Sequence, residues 1–228
     1  MSLPEPLHSS LARAWGLSNA QAAGLVRQGT ARDVRRGELV ARRGMPLPGV
    51  FLVGLGIIKL SLCAAEGDER VLRVVGAGDT FGEPTALLGK PCLYDASALT
   101  EAKLVTIPTA AIFALIDSDR RFARRLVMVL AARSFGILAE FEAATTQRGA
   151  QRLAGYLESL AGRSAARGVC SVQLPVSKTV VAALLGMKKE TLSRLLHQLT
   201  AEGIIGVARR EIAILDRERL TAAARQSA

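Results

Sequence analysis

The sequence predicts an α+β chain in three parts: an antiparallel β sandwich or barrel, a long helix, and a helix-turn-helix followed by a wing. Three observations predict it. Between about Gly29 and Pro108, short β-branched runs are broken by Gly and Pro. Beyond Pro108, Ala, Leu, Arg and Glu dominate, and apolar residues recur at alternating steps of four and three. From Ser177 onward a small residue, a glycine four later and an apolar residue six after that have helix-turn-helix spacing.

The strand-like runs are Val50 to Val53, Ile57 to Leu62, Val71 to Val75 and Leu104 to Ile107, separated by "GLG", "AEGDE" and "GAGD" turns. "GAGDTFG", Gly76 to Gly82, comes close to a dinucleotide fingerprint. Its third glycine is misplaced and no crossover helix follows, so its glycines are read as turn formers. In the helical stretch Ala123, Val127, Leu130, Ser134, Ile137, Phe141 and Ala144 form a coiled-coil seam. Leu126, Val129 and Leu138 lie off it and need a second burial partner. One face could therefore pair with another subunit, through Val127, Leu130, Ser134, Ile137 and Phe141, while the other lies on its own barrel; a long core helix inside a monomer is the plain alternative. A short break from Ala161 to Ser177 leads into the last region.

Half of the 228 residues are apolar and only 4% aromatic, so an ample aliphatic core is available. Thirty Lys plus Arg against 20 Asp plus Glu leave +10, and from Arg163 onward eleven basic residues face five acidic ones, a net +6. Such a chain is drawn to polyanions, either nucleic acid or an anionic membrane face. No run approaches the ~20 apolar residues of a membrane span. "MSLPEPLHSSLARAW" also lacks the features of a signal peptide, so a cytoplasmic location is expected. Cys63, Cys92 and Cys170 form no CxxC pair and are expected as three buried thiols. With His8 and His197 the only imidazoles, no metal site is expected. No Ser/His/Asp set, acid pair or phosphate loop stands out, so the chain is not expected to be an enzyme and no catalytic residue is assigned.

In "SKTVVAALLGMKKETLSRLLHQL", Ser177 is placed to cap a first helix, with Val181, Leu184 and Leu185 facing inward. Ala182 is small enough for a second helix to cross, and Gly186 allows the turn between them. Leu192, Leu195, Leu196 and Leu199 stripe the second helix, whose polar residues gather at its start. A recognition helix enters the major groove end-on, so base-reading side chains belong on its first turns. Arg194 suits guanine O6 and N7, Glu190 a cytosine amino group, and Ser193 a base or phosphate. Ser177, Lys178, Lys188, Lys189 and Thr191 are placed for phosphates, as are Arg209 and Arg210 at the tip of a wing with strands Ile204 to Ala208 and Glu211 to Leu215. His197 is read as a backbone contact or a surface residue. A small helical bundle with a solvated basic face is the plain alternative.

The order of parts resembles the CRP/FNR family of bacterial transcription regulators. The resemblance rests on "GVFLVGLGIIKLSLCAAEGDERVLRVVGAGDTFGE" and "KTVVAALLGMKKETLSRLLHQLTAEGII", and the ending "REIAILDRERL" is similar to the Dnr branch. It implies a cyclic-nucleotide-binding-type β jelly-roll sensor with helical flanks over 1–118, a dimerisation helix over 119–146, and a winged helix-turn-helix over 147–228. It also implies a homodimer that binds double-stranded DNA and works with RNA polymerase as an activator, away from membranes. "ETLSR" matches the pattern by which the FNR and Dnr branches read TTGAT-type half-sites, which gives Glu190, Ser193 and Arg194 the base-reading roles. A two-fold dimer then expects TTGAT, about four spacer bases, ATCAA.

The effector pocket implied by the resemblance contains Gly82, Glu83, Tyr94 and Asp95. Where cyclic-AMP-binding members carry an Arg-Ser pair, this chain has Tyr94 and Asp95. An aspartate facing a phosphodiester repels it. No cysteine precedes Cys63, which excludes the N-terminal iron-sulfur cluster of the FNR sensor. Likeness to Dnr implies haem and nitric oxide, with His8 in an N-terminal arm, His197, Cys63 or Cys92 as the ligands available. The two competing classes are a nucleotide-turning enzyme and a ligand-binding module whose winged domain contacts protein.

Overall fold

The computed structural model describes residues 7–63, 69–162 and 170–225. The turn expected at 65–68 and Arg163 and Arg167 lie outside them. The chain falls into two compact units, Met1–Phe135 and Gly136–Ala228.

The first unit opens with helices α1 (Leu7–Trp15) and α2 (Asn19–Gln28). His8, expected in an arm, is therefore on a helix. Strands β1 (Thr30–Val34), β2 (Leu39–Ala41), β3 (Gly49–Leu55), β4 (Ile57–Cys63), β5 (Glu69–Gly76), β6 (Thr80–Phe81), β7 (Asp95–Ala98) and β8 (Ala102–Pro108) follow, with helix α3 (Glu83–Leu88) after β6. They form two antiparallel sheets, ordered β1-β8-β3-β6 and β2-β7-β4-β5. Gly56 turns β3 into β4 at φ 86°, where a Cβ would lie 2.3 Å from the Glu101 carbonyl oxygen. Gly78 and Gly82 likewise take left-handed φ, as turn formers do.

The apolar run of β3 follows from burial on both faces. Phe51 and Val53 point between the sheets with Ile58, Phe81, Ala96 and Leu104. Val50 and Leu52 point outward, into a second core with Leu11, Trp15, Leu25, Ile107 and Ile112. That second core receives the helices that follow β8, α4 (Thr109–Ser118) and α5 (Arg120–Thr146). The Asp119 carboxylate caps α5, accepting the backbone N–H of Arg121 at 2.7 Å and of Phe122 at 3.1 Å. Those backbone donors, Phe122's first, hold its pKa below the ordinary value of 3.8.

Along α5, Phe122 and Leu126 are buried, and Val129 and Leu130 are partly buried on the same core. Leu130 thus packs on its own unit, off the seam predicted for it. Leu138 is 63% exposed and joins Val127, Ile137 and Phe141 on the uncovered surface. Arg133, one turn past Val129 and Leu130, continues the inward stripe and pairs with Glu83, whose side chain is only 3% exposed. Thr80 donates to Glu83 and accepts from Arg133 Nη2 at 2.9 Å and from the Trp15 indole at 3.1 Å, so all three positions of its hydroxyl are engaged.

The second unit contains α6 (Gly149–Gly162), β9 (Cys170–Gln173), α7 (Lys178–Leu184), α8 (Lys189–Ala201), β10 (Ile205–Ala208), β11 (Glu211–Ile214) and α9 (Arg217–Arg225). Its sheet runs β10-β11-β9. Leu153, Leu157, Val181, Leu192, Leu196, Ile212 and Leu220 are buried in it. Cys92 and Cys170 are buried as expected, but Cys63, at the end of β4, is exposed. No described helix is long and apolar enough to cross a membrane.

Removing one partner of a buried ion pair strands the other, so Arg133→Ala should lower the stability of the first unit by about 3 kcal/mol in urea unfolding. Glu83→Gln, which keeps a hydrogen-bonding group beside Thr80, should cost less. Because the folded pKa of Asp119 is depressed, its contribution is present above the ordinary carboxylate value and disappears as pH falls through the folded value. The stability difference between the wild type and Asp119→Ala should therefore shrink on acidification from neutral pH, read by unfolding curves at matched salt.

Candidate nucleic-acid interface

Ser177 caps α7, its hydroxyl oxygen accepting the Val180 N–H at 3.4 Å. Val181, Ala182 and Leu185 are buried, and Leu184 is half-buried. Gly186, at φ 63°, makes the turn into α8. The Arg152 side chain of α6 donates to the Leu185 carbonyl at 3.0 Å, which fixes this turn from outside the motif.

Amphipathic spacing then sorts the side chains of α8. Leu192, Leu196 and Leu199 are buried and Leu195 is half-buried. Lys189, Glu190, Ser193, Arg194 and His197 line one open depression on the opposite face. The three residues predicted to read bases are thus contiguous and exposed. Arg194 reaches Thr191 Oγ1 at 3.5 Å, so its guanidinium is only loosely held. Lys188 is the N-cap of α8 and supplies no side-chain acceptor. The first N–H groups of the helix, flanked by exposed Lys188 and Lys189, are open to an anion such as a phosphate.

The two wing arginines differ. Arg209 is exposed at the tip. Arg210 donates from Nε and Nη2 to the Leu174 carbonyl at 3.1 and 2.7 Å, and its own carbonyl accepts the Leu174 N–H at 2.8 Å. Its side chain locks the wing to the chain entering α7, while both arginines remain exposed. β9, the strand that Arg210 secures, lies within the stretch read from sequence as a break.

In the first unit the predicted pocket residues divide. Tyr94 packs on the inter-sheet core near Gly82 and Glu83. Burial first, then Cys92 and Glu83, push its phenol well above the ordinary value, against a backbone hydrogen bond from Gly82. Asp95, the next residue, begins β7 and accepts the Arg43 N–H at 2.8 Å. Glu83 is already committed to Arg133 and Thr80. Arg133, Thr80 and Trp15 escaped the sequence reading; the available signal was an arginine continuing the apolar stripe of Leu126, Val129 and Leu130.

The candidate haem ligands do not converge on one element. His8 is on α1 and His197 on the outer face of α8; Cys63 ends β4, and Cys92 donates its thiol to the Tyr94 carbonyl at 3.2 Å. Among the described residues no cluster of three or more His, Cys, Asp or Glu is placed to hold a metal ion.

Residues 31–119 match the model of a cyclic nucleotide-binding domain and residues 151–223 that of a Crp-like helix-turn-helix domain. The transcriptional regulator LdrP of Thermus thermophilus is 30% identical over 184 residues, 79% of this chain and 90% of that protein. The CRP-like cAMP-activated global transcriptional regulator of Mycobacterium tuberculosis is 27% identical over 212 residues, 92% and 95% of the two chains. The solved structure of FixK2 from Bradyrhizobium japonicum superposes with a TM-score of 0.77 at 23% identity, covering 88% of this chain and 99% of that one, and speaks for the fold. With a jelly roll, a long helix and an exposed recognition face in that order, and relatives that span almost its whole length, the chain belongs to the CRP/FNR family of DNA-binding transcription regulators.

Proposed function

We propose that the protein binds, as a homodimer, a palindrome of the form TTGAT, about four spacer bases, ATCAA. Glu190, Ser193 and Arg194 read bases, Lys188, Lys189, Thr191, Arg210 and the first turns of α7 and α8, with Ser177 and Lys178, meet phosphates, and Arg209 brings the wing tip to the DNA. The observation that carries this reading is the single exposed face of α8, on which Lys189, Glu190, Ser193, Arg194 and His197 lie together with no acceptor capping the helix start.

The proposed dimer contact is the distal part of α5. Val127, Met128, Phe135, Ile137, Leu138 and Phe141 are each between 63% and 75% exposed. Covering one large apolar side chain is worth about 1.5 to 3 kcal/mol, so a band of six strongly favours a partner, and a second copy brings the same band. Sensor control then acts by biasing two arrangements of the paired helices, which a ligand achieves only by binding one arrangement better. Nitric oxide or redox state is the class of signal that the Dnr-like ending supports, and RNA polymerase is the partner for a regulator of this kind. Cyclic AMP in the Arg-Ser mode is disfavoured, because Tyr94 is packed against Gly82 and Glu83 is paired with Arg133.

Fluorescence anisotropy of the effector-free protein tests this on a labelled palindrome and on a scrambled duplex at one fixed salt concentration. Preference for the palindrome is the expected outcome, and equal weak binding to both, unchanged by nitric oxide or reductant, would sink the half-site assignment. Arg194→Ala should lose roughly 1 to 3 kcal/mol of discrimination at one base pair per half-site. Uniform weakening across sequences would make Arg194 a phosphate contact only. Phe141→Arg should shift the protein to monomer in sedimentation equilibrium and weaken palindrome binding in parallel.

A further inference from the structure

Among the described residues Arg209 is the only non-glycine with a left-handed backbone, at φ 55°. It is the first of two residues that join β10 to β11, where Ala208 pairs with Glu211. In two-residue hairpin loops a positive φ at this position is ordinarily given to glycine, because a Cβ there is strained. The sequence keeps a long cationic side chain at the strained position instead.

The surroundings hold the tip still. Arg210 clamps the Leu174 carbonyl through two donors and returns its own carbonyl to the Leu174 N–H. Glu211, the nearest carboxylate in sequence, accepts from Ser171 across the sheet. Among the described residues the Arg209 side chain makes no hydrogen bond or ion pair, so an uncompensated cation leaves the wing along a Cα–Cβ direction set by the hairpin backbone.

We propose that Arg209 enters the minor groove beside each half-site and selects A·T-rich sequence there. The inference rests on the assignment of α8 to the major groove. A phosphate contact alone does not explain the strain, since a long cationic side chain reaches phosphates from many backbone positions. Strain kept where glycine is easier indicates that the direction of the side chain matters. A guanidinium is weakly hydrated and gives up little on entering a narrow groove. Runs of A·T narrow the minor groove and deepen its negative potential, which attracts an inserted arginine. The recognition helix would then read base edges while the wing reads groove shape, at positions that neither Glu190 nor Arg194 touches.

The test begins with selection of duplexes from a random-sequence pool by the full-length wild type and by Arg209→Gly. The expected result is a shared palindrome in both pools, with A·T enrichment in its flanks for the wild type alone. Anisotropy then uses the selected site with A·T, inosine·C or G·C flanks. Inosine·C lacks the guanine amino group that distinguishes G·C in the minor groove. The wild type should bind the first two about five- to tenfold more tightly than the third. Arg209→Gly should bind all three alike, keep the half-site preference and melt higher, because glycine relieves the backbone strain. Flank preference that survives in Arg209→Gly overturns the proposal. So does equal weakening on every flank with the salt slope reduced by about one, which marks a phosphate contact. If the wild type enriches no sequence, the DNA-reading assignment fails and takes this inference with it, an outcome distinct from loss of the flank bias alone.

Discussion

A carboxylate in an apolar core needs a cation, and Glu83 takes its cation from the long helix. Arg133 of α5, Thr80 of β6 and Glu83 of α3 close one cluster, with the Trp15 indole of α1 as the third partner of Thr80. Pairs of this kind contribute little net stability, because desolvation opposes their attraction. They do impose geometry, since few side-chain arrangements satisfy every donor and acceptor at once. The rotation of α5 about its own axis is set here, and the elements that set it are the ones beside Gly82 and Tyr94. Arg133 is thereby tied to both α3 and β6.

That rotation decides which residues α5 offers outward. Phe122, Leu126, Leu130 and Arg133 face the unit's own core, and Val127 and Phe135 do not. A helix with apolar residues over most of its circumference has two faces to cover. Its own sheet and helices cover one, and the proposed second copy covers the other.

The sequence made the larger elements legible and left the short and polar ones hidden. Runs such as Val50 to Val53 announced themselves because burial on both faces demands continuous apolar residues. β1, "TARDV", shows four exposed residues and one buried, and carries no such signal. β6 is only Thr80 and Phe81, too short for any periodicity. The recognition helix was readable because the chemistry of a groove forces polar residues to one end and leucines to the other. On α5 the expected faces were exchanged at Leu130, which packs on the core, and Leu138, which is exposed, because a four-three repeat fixes spacing but not which of two apolar faces meets the core.

The positive charge of the second unit overstates what it offers to DNA. Arg152 is spent on the Leu185 carbonyl, Arg210 on the Leu174 carbonyl and Arg219 on the Glu202 carbonyl at 2.9 Å. These arginines stiffen the turn before α8, the wing and the end of α8, which are the three junctions that aim the reading surface. Lys188, Lys189, Arg194 and Arg209, exposed on α8 and at the wing tip, are not spent in this way. Positioning errors of an ångström are costly for bidentate contacts to base edges, whereas phosphate contacts forgive them. A reading surface with few free cations therefore needs a stiff frame more than added charge, and most of the arginines of this unit that bond to backbone carbonyls serve that frame.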